Sequence, residues 1–283
     1  MQTCLKSASK EAIINTHGPF VVIGEKINPT GRKKLAEALQ ANHFDYVRDL
    51  AIKQVEAGAD VLDVNVGVPG IDEVALMPQV VKAVSEAVDV PLCLDSANPQ
   101  ALAAGLAAMP GRALVNSVNG EERMLASVLP IVKEYGAAVI GLTMDDSGIP
   151  NDPEVRVAIA DKILNRAAQL GIGADRVVID PLVMAVGADS SAASITLRTI
   201  EMVQRAFGVN VNLGASNVSF GLPDRHTLNQ VFLAMAIGAG ASCAITDPMK
   251  LTSTIRAADL IRGRDGYAKR YIKYLRAHPV QKM

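Results

Sequence analysis

Apolar and polar positions follow two rhythms along this chain. Short runs rich in apolar residues fall at residues 20–24, 60–64, 91–95, 113–117, 137–143, 176–180, 209–213 and 241–245. Longer stretches, in which apolar residues return every three or four positions, fall between them at 43–57, 74–87, 99–108, 122–135, 154–170, 193–207, 226–237 and 251–262. The short runs read as strands and the long ones as helices. Strands joined through helices pair in parallel. Eight strand–helix units in one chain predict an α/β fold, a closed (β/α)8 TIM barrel in a single domain spanning 1–283. No Pro/Gly/Ser-rich linker interrupts the run. Residues 1–19 and 266–283 read as extensions. Asn98-Pro99 and Asp152-Pro153 each offer a helix cap followed by proline at the first helical position.

Composition narrows the class. The mean hydropathy of +0.23 is high, yet no apolar run reaches the roughly 20 residues of a membrane span. Parallel strands buried on both faces account for the value. The formal net charge of -1, with no basic block, argues against a nucleic-acid partner. The N-terminus has no apolar leader segment. Cys4, Cys93 and Cys243 are odd in number and widely spaced, which suits reduced thiols in a cytoplasmic protein rather than disulfides or zinc. Met77, Met109, Met202 and Met235 read as core fill.

Chemistry in such a barrel belongs at the C-terminal ends of the strands. Those ends carry Glu25 and Asn28, Asp63 and Asn65, Asp95, Asn116 and Asn119, Thr143 to Asp146, Asp180, Ser216-Asn217, and Thr246-Asp247. Asn98 and Asp145 are explained as a cap and a turn former. The remainder converge on one mouth rich in carboxylates and carboxamides. His17, His43, His226 and His278 all lie away from strand ends, so no imidazole base is indicated. No His/Cys cluster has metal spacing, and no Gly-rich phosphate loop is present. Carboxylates and carboxamides match the edge of a flat amino-pyrimidinone ring: a carboxylate accepts two parallel N–H bonds, and a carboxamide both donates and accepts. A pterin has that edge.

With those segments in order, the sequence resembles the pterin-binding methyltransferases that act with corrinoid proteins, among them the folate domain of cobalamin-dependent methionine synthase and the folate-side enzymes of O-demethylase systems. The matching stretches are Ile23-Gly24-Glu25-Lys26-Ile27-Asn28, Leu62-Asp63-Val64-Asn65-Val66-Gly67, Cys93-Leu94-Asp95-Ser96, Asn116-Ser117, Ile140-Gly141-Leu142-Thr143-Met144, Ile179-Asp180-Pro181-Leu182 and Ser216-Asn217-Val218-Ser219. The resemblance implies that Asp95, Asn116 and Asp180 bind the pterin. It places Asn217 at N5, the methyl-bearing atom, as the catalytic carboxamide, with Asp180 or a water relaying the proton. Arg225 resembles an arginine near the folate tail, although Phe220-Gly221-Leu222-Pro223 is less polar than the family pattern. Lys26 stands where relatives often have Arg. Asn28 and Ser219 fall within the implied folate site. Met144 either touches the pterin face or packs beneath it. The substrate implied is tetrahydrofolate or 5-methyltetrahydrofolate, and the partner is a separate corrinoid protein carrying the cobalt. No bound metal and no membrane are implied, and a homodimer is.

Two rivals remain. A dihydropteroate synthase-like enzyme would need basic residues for a pyrophosphate near strands seven and eight, where the sequence shows Ser216-Asn217-Val218 and Thr246-Asp247. A non-catalytic folate-binding barrel would need no residue at N5.

Overall fold

The computed structural model describes residues 1–279. Residues 280–283 of the predicted tail lie outside the described residues. The elements run β1 (Gln2–Lys6), β2 (Glu11–Asn15), β3 (Val21–Ile27), α1 (Lys33–Gln40), α2 (Asp45–Glu56), β4 (Val61–Asn65), α3 (Glu73–Ala87), β5 (Leu92–Asp95), α4 (Pro99–Ala108), β6 (Leu114–Asn119), α5 (Glu122–Glu134), β7 (Ala138–Leu142), α6 (Pro153–Gln169), β8 (Val177–Asp180), α7 (Ala192–Phe207), α8 (Arg225–Ala239), β9 (Cys243–Thr246), α9 (Pro248–Ile261) and α10 (Lys269–Ala277). The parallel sheet has the order β8-β7-β6-β5-β4-β3-β9.

The seventh predicted strand, 209–213, is an extended segment rather than a regular strand. It bridges β8 through Ile179 and Val211, and β9 through Gly214 and Ile245. Its backbone still closes the ring: Ile179 N donates to Asn210 O, Asn212 N to Ile179 O, and Ile245 N to Leu213 O. The ladder does not propagate, because the amides of Ser242 and Cys243 both converge on the Val211 carbonyl. The result is a TIM barrel with one irregular stave.

Side-chain direction alternates along each strand. Phe20, Val22, Leu62, Val64, Leu92 and Leu94 face outward into the core shared with the helices. Val21, Ile23, Val61, Cys93, Leu114, Ala138, Ile140, Val178 and Cys243 face the barrel axis. Continuing the inward parity upward gives Glu25, Asp63, Asp95, Asn116 and Asp180. The same alternation that fills the lower barrel with apolar side chains therefore fills its top with polar ones.

The first nineteen residues are more than an extension. β1 and β2 form an antiparallel hairpin whose Leu5 and Ile14 are fully buried against the inward-facing residues at the barrel floor. Lys6 and Arg112 exchange both backbone hydrogen bonds, and the Asn210 carboxamide donates to Thr3 Oγ1 and Ile14 O, each at 3.0 Å. Two helices were not foreseen: α1, in the loop after β3, and α10, in the tail. The predicted caps hold, since Asn98 accepts from Gln100 N and Ala101 N, and Asp152 accepts from Glu154 N. Met77 is buried and Met109 and Met202 are partly buried, but Met235 is 54% exposed on the outer face of α8, so it is not core fill.

Candidate active site

The floor of the mouth is a set of buried and partly buried carboxylates. Asp63 is 2% exposed and accepts a hydrogen bond from Asn116 Nδ2 at 3.2 Å. Burial pushes its pKa well above the usual carboxylate range, and the charge of neighbouring Asp95 adds to the rise. Asp95 accepts from Asn65 Nδ2 at 3.0 Å, and burial raises its pKa too. Two close carboxylates in a dry site do not both ionise. Burial holds both above the usual range, most strongly Asp63, the more enclosed of the two.

Asp180 is buried on the opposite strand. Its two oxygens accept from Leu182 N at 2.8 Å and Asn212 Nδ2 at 2.7 Å. Burial raises its pKa to about 6 despite these bonds and the nearby Arg156. Arg156 is itself 1% exposed and donates to the carbonyls of Pro150 at 2.7 Å, Pro181 at 2.5 Å and Leu182 at 3.0 Å, so it fixes the backbone that supports Asp180. None of Asp63, Asp95 and Asp180 forms a salt bridge among the described residues. Their remaining lone pairs call for N–H donors that a ligand can bring.

The structure gathers Asn28, Asp63, Asn217 and Arg225 around one cavity of about 340 Å³, together with Glu25, Arg32 and Phe220. Asn217 lies on a short 3-10 turn, Ala215–Ser219, and is exposed to the cavity. Asn28 Oδ1 accepts from Thr30 N at 3.0 Å, a local turn at the rim. Glu25 accepts from Ser216 Oγ at 2.8 Å. Ser219 is fully buried and faces Arg225: Arg225 Nε donates to Ser219 Oγ at 3.0 Å, and that hydroxyl donates to Asn229 Oδ1 at 2.7 Å. Met144 is half-buried just beyond β7, where its carbonyl accepts from Gly120 N.

A second cavity of about 240 Å³ adjoins the first and shares Glu25, Arg32, Ser216 and Arg225 with it. It adds Lys26, His226, Asp247 and Lys250. Two sequence expectations change here. Basic residues do stand beside strands seven and eight, and His226 stands at the mouth, carried there by the first turn of α8. Gly24 makes part of this wall possible. A Cβ at Gly24 would meet Gln54 Oε1 at 2.5 Å, and that oxygen accepts from Lys26 N at 2.8 Å.

A TIM barrel with buried carboxylates and a carboxamide at its C-terminal mouth is the architecture of an enzyme that holds a polar heterocycle by its edge. Residues 24–247 match the model of the pterin binding enzymes, and the chain belongs to that family. It is 32% identical over 265 residues to the methylcorrinoid:tetrahydrofolate methyltransferase of Eubacterium limosum, an alignment covering 91% of this chain and 96% of that one. It is 35% identical over 245 residues to methionine synthase of Mycobacterium tuberculosis, covering 82% of this chain and only 20% of that longer protein. Its fold is similar to the dihydropteroate synthases of Xanthomonas albilineans (TM-score 0.70, 19% identity, 94% of this chain and 100% of that) and Yersinia pestis (TM-score 0.69, 18% identity, 93% and 100%). At that identity the likeness is one of fold alone.

Proposed function

We propose that this barrel moves a methyl group between N5 of tetrahydrofolate and the cobalt of a corrinoid held by a separate protein. The observation that carries the reading is the trio of carboxylates, two buried and Asp95 partly so, without salt-bridge partners among the described residues, which asks for a ligand edge bearing N–H donors. Asp95 and Asp180 accept those donors, and Asn116 bonds the ring between them. The methyl-bearing side of the pterin then faces the cavity that contains Asn217. The reduced cobalt of the partner supplies the nucleophile. As the C–N5 bond breaks, its electron pair stays on nitrogen, and the Asn217 amide N–H donates to it. Such a placed dipole acts where charge develops. A water held beside Asp180, or Asp180 itself acting as a relay, passes a proton to N5.

Run toward methyltetrahydrofolate, the reaction is the folate-side half of an O-demethylation in the cytoplasm. No helix among the described residues is long and apolar enough to cross a membrane. The exposed Val231 and Met235 on α8 would be covered by a second copy of the chain, giving a homodimer.

The test is calorimetric titration with 5-methyltetrahydrofolate, followed by mixing with free cob(I)alamin without oxygen. Binding with formation of methylcobalamin supports the reading, and no binding sinks it. The basic second cavity favours one rival, a dihydropteroate synthesis that would seat a pyrophosphate there. Condensation of a pterin pyrophosphate with p-aminobenzoate would establish that rival instead.

A further inference from the structure

The second cavity has no task in the transfer itself, and its charge is out of balance. Lys26 pairs with Asp247, and Arg32 lies 3.9 Å from Glu25. Arg225 and Lys250 meet no carboxylate among the described residues. Arg225 spends its donors on Ser219 Oγ and on Ser216 O at 2.7 Å, which fixes its guanidinium in the wall between the two cavities. The guanidinium lies 5.8 Å from the ring centroid of Phe220, which is 69% exposed and lines the first cavity. His226 and Lys250 line the second. The mouth thus has an order: buried carboxylates, then an exposed aromatic face, then a fixed guanidinium, then an amine and an imidazole beside a polar basin.

From this order we infer that the second cavity is a carboxylate-binding site for the glutamate tail of the folate, with Lys250 and His226 receiving γ-linked glutamates beyond the first. This rests on the folate reading proposed above. A folate bound by its pterin edge on the carboxylates projects its aminobenzoyl ring across the first cavity, where Phe220 offers a face to stack on. The first glutamate then reaches Arg225. Each further γ-linked residue adds one carboxylate and extends the chain into the basin. Exposed ion pairs are individually weak, so discrimination by tail length comes from several acting together.

The experiment is a set of calorimetric titrations with three ligands: tail-less methyltetrahydropterin, and 5-methyltetrahydrofolate with one and with three glutamates. The proteins are the natural chain, Lys250→Gln, His226→Gln and, as a control on the far side, Lys133→Gln. The natural chain and Lys133→Gln are expected to bind the triglutamate about tenfold more tightly than the monoglutamate at low salt, with the advantage shrinking as salt rises. Lys250→Gln should lose most of that ratio and His226→Gln part of it. Equal affinity for one and three glutamates in the natural chain overturns the site, as does a ratio left unchanged by Lys250→Gln. Inorganic pyrophosphate in the millimolar range is the fourth probe. Competition by pyrophosphate with no effect of tail length assigns the basin to a phosphate ligand and overturns the proposal. Failure of all three pterin ligands to bind removes the folate reading itself, and the tail site with it.

Discussion

The two ends of this barrel are built from the same strands and do opposite things with burial. At the floor, inward-facing Val21, Val61, Cys93, Leu114 and Val178 close on Leu5 and Ile14 of the hairpin, and the carboxylates Asp60 and Asp259 at that end have basic partners. Asp259 accepts from Phe20 N at 2.9 and 3.1 Å and stands 3.8 Å from Arg270, while Asp60 takes Arg256 and Arg270. At the mouth, two residues further along each strand, Asp63 and Asp180 are buried, Asp95 is partly buried, and none of the three has a salt-bridge partner among the described residues. One end contributes stability. The other holds charge in a place where folding alone would not keep it, which is a common mark of a functional site.

That contrast can be broken from either side. The largest effect should come from the floor. Ile14→Ala opens a cavity among fully buried neighbours and should cost about 2–5 kcal/mol in urea unfolding. Folate affinity at a temperature where the variant is folded should be unchanged. A loss of affinity on the scale of the stability loss would mean the two ends are not independent. At the mouth, Asp180→Asn should cost far less stability. A carboxyl raised to about 6 in the folded state binds more protons than its unfolded counterpart between roughly pH 4 and 6, so the native protein loses stability as pH rises through that window. At pH 7 loss of the charge should stabilise by up to about 3 kcal/mol, offset by about 1–3 kcal/mol because the carboxamide NH2 must face the Leu182 or Asn212 donor, so thermal denaturation should show a small net change. Folate binding should weaken by about 1–3 kcal/mol, because the pterin needs the charged acceptor. In the natural chain, folate affinity should fall as pH drops below about 6. A pH-independent affinity would take Asp180 out of the pterin contact. The smallest change in free energy should be that of Asn217→Ala. Its transfer rate should drop about tenfold or more, with affinity nearly unaltered, as single-turnover methylcobalamin formation would report. Equal rates would remove Asn217 from the mechanism.

How much of this the sequence disclosed follows from where each signal is stored. Caps and strand parity are local, so Asn98 and Asp152 were legible, as were the strand-end carboxylates Asp95 and Asp180. The irregular stave was not. Val209, Val211 and Leu213 alternate with Asn210 and Asn212 as a strand should, and only the convergence of Ser242 and Cys243 amides on Val211 stops the ladder. The pair Asp63 and Asp95 is close in space across β4 and β5, a relation that neither residue's neighbours in sequence reveal. Lys250 and His226 escaped for a similar reason. They ride on the first turns of α9 and α8 rather than on the strand ends.

The hairpin has a consequence in time as well as in space. Its partners come late, far downstream of it in the chain. Thr3 and Ile14 wait for Asn210, 207 and 196 residues downstream, and Thr16 waits for Arg264. Contacts of such long sequence separation form slowly. Until they form, a two-stranded ribbon with buried-to-be Leu5 and Ile14 stands open to any other strand edge. The floor that steadies the finished barrel is thus the part most in need of protection while the barrel is being made.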